Sequence, residues 1–297
     1  MNRQTFIAAA AASAAAALPL LSDADETSAA GTTILRPFAS APFPHASRSQ
    51  GHTYQGKLYA QAASYSDATV GIFIPRGFRP GPATDFIVHF HGWNNDVATV
   101  LTRYRLREQV AASNRNAILV VPQGPKDAPD SGDGKLELDP SGFARFMREV
   151  ASFLQQRGTT PSAQVGRIVL SAHSGGYGGA GGVLTRGGMN ESITDVLLFD
   201  AAYGYYDAFA NWQKATPDHH FLSLFTDDTS TGNTAIMAMI EAPAPNIFVR
   251  NADTMTLAQL QTRAPTFALT TTVAHDELLQ KLSWYALFLQ ATALAAR

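Results

Sequence analysis

Five short, almost wholly apolar runs recur along this chain: Phe86-Ile87-Val88-His89-Phe90, Ala117-Ile118-Leu119-Val120-Val121, Arg167-Ile168-Val169-Leu170, Val196-Leu197-Leu198-Phe199 and Phe221-Leu222-Ser223-Leu224-Phe225. Such runs do not alternate an apolar face with a wet one, so both faces must be covered, as in parallel strands packed under helices. The intervening sequence supplies helices. Val97 to Ser113 and Phe143 to Arg157 carry helical periodicity, the second placing Phe146, Val150, Phe153 and Leu154 on one face. Thr234 to Glu241 and Glu277 to Ala295 read the same way, the latter with acids in its first turn. Ala68 to Pro75 is expected as an early antiparallel strand, and Asn246 to Val249 and Phe267 to Thr272 as further strands. The expectation is an α/β chain with a mostly parallel twisted sheet and helices on both faces. With 297 residues and 45% hydrophobic content, one such domain can bury a large core.

The N-terminus reads differently. Met1-Asn2-Arg3 precedes an Ala/Leu-rich run from Phe6 to Leu21, and Ser28-Ala29-Ala30 offers a small-x-small cleavage site before Gly31. Residues 1–30 are therefore expected to be a secretory signal peptide, by a Sec or twin-arginine-like route, leaving an exported protein with no stable membrane span. Residues 31–67, rich in Ser, Ala, Pro and His, are expected as an irregular leader ahead of the domain at 68–297. Charged residues make up 15% of the chain with a net charge of -2, so no basic surface for nucleic acid is expected. Cysteine is absent, which excludes disulfides, thiolate metal sites and a cysteine nucleophile.

Ser171-Ala172-His173-Ser174-Gly175-Gly176 follows one apolar run and precedes a Gly/Ala-rich segment, giving strand, sharp turn, helix. A turn this tight holds a serine hydroxyl clear of its neighbours only if the residues two before and two after are small. Ala172 and Gly176 meet that demand, so Ser174 is the candidate nucleophile.

The order of elements from about 68 to 294, together with the Ser174 turn, His89-Phe90-His91-Gly92-Trp93 at an early strand end and His275 before the last helix, resembles the α/β-hydrolase superfamily of serine esterases. The resemblance implies the triad order nucleophile, acid, histidine, with His275 as the base. It implies an acid at the end of the second strand after Ser174, where Asp227 is the first choice and Asp228 the next. Asp200, ending the preceding strand, is the competitor. It further implies oxyanion donors at the backbone amides of Gly175 and Trp93, no cofactor, and a small-molecule or polymer-linked ester as substrate. Trp93, Tyr177 and His173 are expected to line the pocket; oligomeric state is not readable.

Two other readings compete. His89 and His91, two apart on a strand, could be metal ligands of a metal-dependent hydrolase, joined by Asp200, His219 and His220. Alternatively the fold could serve a non-catalytic binding protein. Among remaining features, Asp127, Asp130, Asp133, Glu137 and Asp139 do not fit a twelve-residue calcium loop and read as a solvated loop. Tyr203, Tyr205, Tyr206, Phe209 and Trp212 read as a mixture of core and pocket residues.

Overall fold

The computed structural model describes residues 25–240 and 247–297. Ten strands form one sheet: β1 (Glu26–Thr27), β2 (Gly31–Pro37), β5 (Thr69–Pro75), β6 (Thr84–Phe90), β7 (Ile118–Pro122), β8 (Val165–His173), β9 (Ile193–Phe199), β10 (His220–Phe225), β11 (Ile247–Val249) and β12 (Thr266–Leu269). The hairpin of β3 (His52–Tyr54) and β4 (Lys57–Tyr59) stands apart. The order across the sheet is β1-β2-β5-β7-β6-β8-β9-β10-β12-β11, antiparallel on the β1-β2-β5-β7 side and parallel from β7 onward. The five apolar runs are the central parallel strands. β7 and β10 are buried along their whole length, and two core layers cover the two faces.

After β6 the chain moves outward to β7, and then returns to the other side of β6 as β8. This reversal leaves a crevice at the carboxyl ends of β6 and β8, where ligands bind in open α/β sheets. Both of the quoted strand-end motifs open onto it.

The structure departs from the sequence reading at four places. Residues 31–37, expected as irregular, form β2, which pairs with β5 along all seven residues from Gly31↔Pro75 to Pro37↔Thr69. Its GTTILRP sequence lacks alternation because the strand's own burial is uneven. The helix expected over 97–113 is two helices, Val97–Arg103 and Leu106–Ala112, broken where Arg105 has φ of +53°. The long closing helix shrinks to Trp284–Ala291. Before it, Leu282 and Ser283 have φ of +56° and +52°, a bend across which Leu278 and Leu279 still bury in the same core layer as Trp284 and Tyr285. After it the chain straightens as Arg115 takes the carbonyls of Leu289 and Leu294, and Ala293 N–H donates to Asp195.

The acidic segment is the fourth. Asp130 and Asp133 are 8% and 4% exposed, and Gly134–Leu138 is a short helix. Asp130 accepts two bonds from Arg48, at 2.6 and 2.8 Å. Glu137 accepts from Tyr205 Oη and from the amide of Asp133, and Asp139 pairs with His45 and Arg145. Asp130 and Asp139 thus tie residues 45–48 to the body of the domain, and of the five acids only Asp127 is exposed as expected.

Candidate active site

β8 delivers Ser174 at the centre of the sheet. The residue has φ of +54°, a left-handed conformation that a non-glycine side chain adopts only when its surroundings enforce it. Enforcement comes from the small neighbours. A Cβ at Gly176 would lie 2.2 Å from the carbonyl oxygen of Phe90, so no larger residue lets the turn close against β6. A short 3-10 turn, Ser174–Gly176, then leads into the helix Tyr177–Arg186, whose amino end sits beneath the hydroxyl.

His275 arrives from the turn after β12 and meets Ser174: its Nε2 lies 2.8 Å from Ser174 Oγ. Its Nδ1 lies 2.7 Å from Oδ2 of Asp200. A carboxylate only accepts, so Nδ1 carries the proton and Nε2 is left to accept from the hydroxyl. Asp200 is fully buried, with φ of +48° at the end of β9. Each of its oxygens takes two bonds. Oδ1 accepts from the Thr226 amide at 2.9 Å and from the Thr229 hydroxyl, while Oδ2 accepts from the Thr226 hydroxyl at 2.6 Å and from His275. Burial works to raise this carboxyl, but the bonds from His275, Thr226 and Thr229 outweigh it and hold it below the usual carboxylate range. For His275 burial works downward, and the hydrogen bond and charge of Asp200, with the charges of Asp276 and Asp228, carry it above the ordinary imidazole value.

The first-choice acid is thus displaced. Asp227 is exposed and makes no hydrogen bond to His275; Asp228, also exposed, lies near the imidazole without a hydrogen bond to it. The turn that holds them contributes Thr226 and Thr229 as donors instead. Those two threonines flank the aspartates in the sequence, the one signal that this turn serves an acid from elsewhere.

On the other side of Ser174, Gly92 follows β6. A Cβ there would lie 2.6 Å from Ser174 Cβ and 3.1 Å from its Oγ. His91 fixes this peptide: its Nε2 accepts from the Gly124 amide at 3.0 Å, so Nδ1 is the protonated nitrogen and donates to Gly92 O at 2.8 Å. Across a trans peptide the Trp93 N–H points away from that carbonyl and so away from His91. The Trp93 ring, 39% exposed, covers Gly175, donates from Nε1 to Ser131 Oγ at 2.8 Å and meets Tyr54 edge-on at 5.3 Å. Neither Ser131 nor Tyr54 was marked by any sequence motif, because both come from segments remote in the chain.

His173 is 2% exposed, stacks on His275 at 5.0 Å and donates from Nε2 to the His275 carbonyl at 3.2 Å. Burial, then the charge of His275, pushes it down to about 4, so it is neutral near pH 7. It buttresses the base rather than lining open space. Tyr177 is half-buried, 6.1 Å from Tyr203, and Tyr203 stands 41% exposed with its ring 6.3 Å from His275. Phe209 and Trp212 go to the core. A cavity of about 840 Å³ lies beyond Tyr205 among Leu184, Trp212 and His219, but neither Ser174 nor His275 lines it.

The histidines of the metal reading do not converge. His89 is fully buried, with Nδ1 3.0 Å from Ser171 Oγ and its ring against Tyr285; both nitrogens of His91 are engaged. His219 stacks on Trp212 at 4.0 Å, and His220 Nδ1 lies 3.0 Å from Asp195.

No protein-family model and no curated protein matches this sequence. Solved structures do. The chain is similar to the feruloyl esterase module from Clostridium thermocellum complexed with sinapinate, at 10% identity and a TM-score of 0.53, covering 75% of this chain and 82% of that one. A ferulic acid esterase matches at 11% identity and a TM-score of 0.50, over 75% and 91% of the two chains. With the sheet order, the Ser174 turn and these likenesses together, the chain has the α/β-hydrolase fold.

Proposed function

We propose that this protein is an exported serine hydrolase that cleaves carboxylic esters through an acyl-enzyme on Ser174. The observation that carries the reading is the unbroken line Ser174 Oγ, His275, Asp200, at 2.8 and 2.7 Å, with the serine raised at φ of +54°. Ser174 Oγ attacks the ester carbonyl carbon as its proton passes to His275 Nε2, and the charge moves onto the carbonyl oxygen. The amides of Trp93 and Gly175 receive that oxyanion, each such donor contributing about 3 kcal/mol to the transition state. Asp200 stabilises the imidazolium and keeps its ring in place. His275 then returns the proton to the departing alkoxide. Water attacks the acyl-enzyme, gives its proton to His275, and releases the carboxylic acid with Ser174 restored.

The substrate is a small-molecule or polymer-linked ester. The exposed rings of Trp93, over Gly175, and of Tyr203, beside His275, favour a flat or apolar group at the reacting end. The sinapinate in the Clostridium module, an aromatic carboxylate, makes aryl-acyl esters the first to try. Metal-dependent hydrolysis is not favoured, since both nitrogens of His91 are engaged in internal hydrogen bonds and His89 is fully buried, bonded through Nδ1 to Ser171 and packed against Tyr285.

Export rests on the N-terminal sequence, most of which lies outside the described residues. Among the described residues no helix is long and apolar enough to cross a membrane. The expected cut before Gly31 falls inside the β1–β2 hairpin and would release Asp25 and Glu26, which pair with Arg157 and Arg107. N-terminal sequencing of protein recovered outside the cytoplasm tests both the route and the site.

The main test is a series of p-nitrophenyl esters of increasing acyl length, including an aryl acyl group, hydrolysed by wild type and Ser174→Ala, with fluorophosphonate labelling of Ser174. Hydrolysis that stops on Ser174→Ala, with labelling of the wild type alone, is expected. Activity that survives the substitution and vanishes with a chelator would favour the metal reading. A folded protein with neither activity nor labelling would make it a binding protein.

A further inference from the structure

Three carboxylates face His275, those of Asp200, Asp228 and Asp276, and only Asp200 is hydrogen-bonded to it. An oxygen of Asp228 lies within 4.8 Å both of a His275 ring nitrogen and of an Asp200 oxygen. This placement is built rather than incidental. Asp228 sits in the turn Asp227–Thr229, and that turn is fastened to Asp200 at both ends: Thr226 donates to it from its amide and its hydroxyl, and Thr229 from its hydroxyl. Thr226 Oγ1 also accepts from the Asp228 amide at 3.3 Å. The aspartate is therefore held beside the imidazole by the same contacts that hold the buried acid.

We propose that Asp228 is a second, solvent-side carboxylate for His275, a positioning residue that stabilises the imidazolium formed when Ser174 gives up its proton. The inference rests on the proposed hydrolase reading and adds a residue to it. Asp200 fixes the tautomer and the ring plane; Asp228 acts through space. The groups that face His275 are Asp200 from the end of β9, Asp228 from the turn after β10, Asp276 from its own turn, His173 from the end of β8 and Tyr203 from the loop after β9. His173 is neutral near pH 7, and burial pushes the Tyr203 hydroxyl up, so the nearby charge is all negative. Because Asp228 is exposed, salt screens its effect, whereas the Asp200 bond is buried and is not screened.

The test is the pH dependence of kcat/KM for wild type, Asp228→Asn and Asp228→Glu, at low and at molar salt. Asp228 is exposed and its substitution leaves the core untouched, so melting temperatures should match. In Asp228→Asn the acid limb should move to lower pH by about 0.3 to 0.6 units at low salt, a two- to four-fold gain in relative activity below the limb. The alkaline plateau should fall by a similar factor. Molar salt should abolish most of the difference, and Asp228→Glu should restore the wild-type limb. An acid limb that stays put in Asp228→Asn, or moves upward, overturns the proposal. Wild type without hydrolysis or fluorophosphonate labelling defeats the hydrolase reading instead, so the two failures are distinguishable.

Discussion

Asn in place of Asp200 separates the acid that the structure selects from the one the sequence favoured. Each carboxylate oxygen of Asp200 accepts two bonds, one pair from the Thr226 amide and the Thr229 hydroxyl, the other from the Thr226 hydroxyl and His275. The side-chain amide of Asn has one acceptor oxygen, so one pair of donors must meet an NH₂. If the NH₂ faces His275, the ring changes tautomer: Nδ1 accepts and Nε2 carries hydrogen toward Ser174, from which it can take no proton. If it faces the other pair, two buried donors lose their acceptor and the turn 226–229 loosens. Either arrangement disables the base. The expected loss in kcat/KM is about 10³- to 10⁴-fold, or about 4–5.5 kcal/mol of transition-state stabilisation. Asp227→Asn should change it less than two-fold, since that side chain is exposed and is not hydrogen-bonded to His275. Steady-state hydrolysis of a p-nitrophenyl ester, on the alkaline side of the His275 titration, reads both variants; circular dichroism melting checks that they fold. The reasoning is refuted if folded Asp200→Asn keeps more than a tenth of the activity, or if Asp227→Asn loses as much.

Gly92→Ala would place a methyl group 2.6 Å from Ser174 Cβ, so the strand end must retreat by about 1 Å and carry the Trp93 amide with it; a loss of about 100-fold in kcat/KM with little change in melting temperature is expected, and near-wild-type kcat/KM would dissociate this peptide from the reaction. Asp133 is buried, accepts from the Gly179 amide, and burial together with the charges of Glu137 and Asp130 pushes its carboxyl well above the usual range. The unfolded chain ionises it at about pH 4, so its contribution to stability is fullest below that pH and declines as pH rises. Asp133→Asn should therefore gain melting temperature over wild type, increasingly from pH 5 to pH 9; a gain that is flat or reversed would show that this carboxyl is ionised in the folded protein.

Much of the site was legible because it is local. A tight turn that raises a serine needs small residues at fixed offsets, and Ala172 and Gly176 stand there irrespective of anything distant in the chain. Parallel strands covered on both faces need unbroken apolar runs, which reveal themselves without a partner. The strand at 31–37 gave no such signal: its burial is uneven and three of its seven residues, Thr32, Thr33 and Arg36, are polar. The closing helix is shorter than the sequence suggests because Leu278, seven residues before Tyr285, keeps helical spacing and joins the same core layer across a bend at Leu282 and Ser283 that no residue type announces.

What the sequence by itself determined is the layered α/β architecture, the raised Ser174 and the approach of His275 from the last strand, since each follows from patterns within a few residues or from the order of elements. Which aspartate completes the line was a matter for the tertiary structure alone. Asp200 and Asp227 both follow parallel strands, and the flanking Thr226 and Thr229 are the one local sign that separates them. The choice falls to the backbone turn at Asp200 and to the threonines of the adjacent strand end, which solvate a buried carboxylate that could not otherwise stay ionised. Pairing across neighbouring strands brings those groups together over 26 residues of sequence, and no local pattern encodes it.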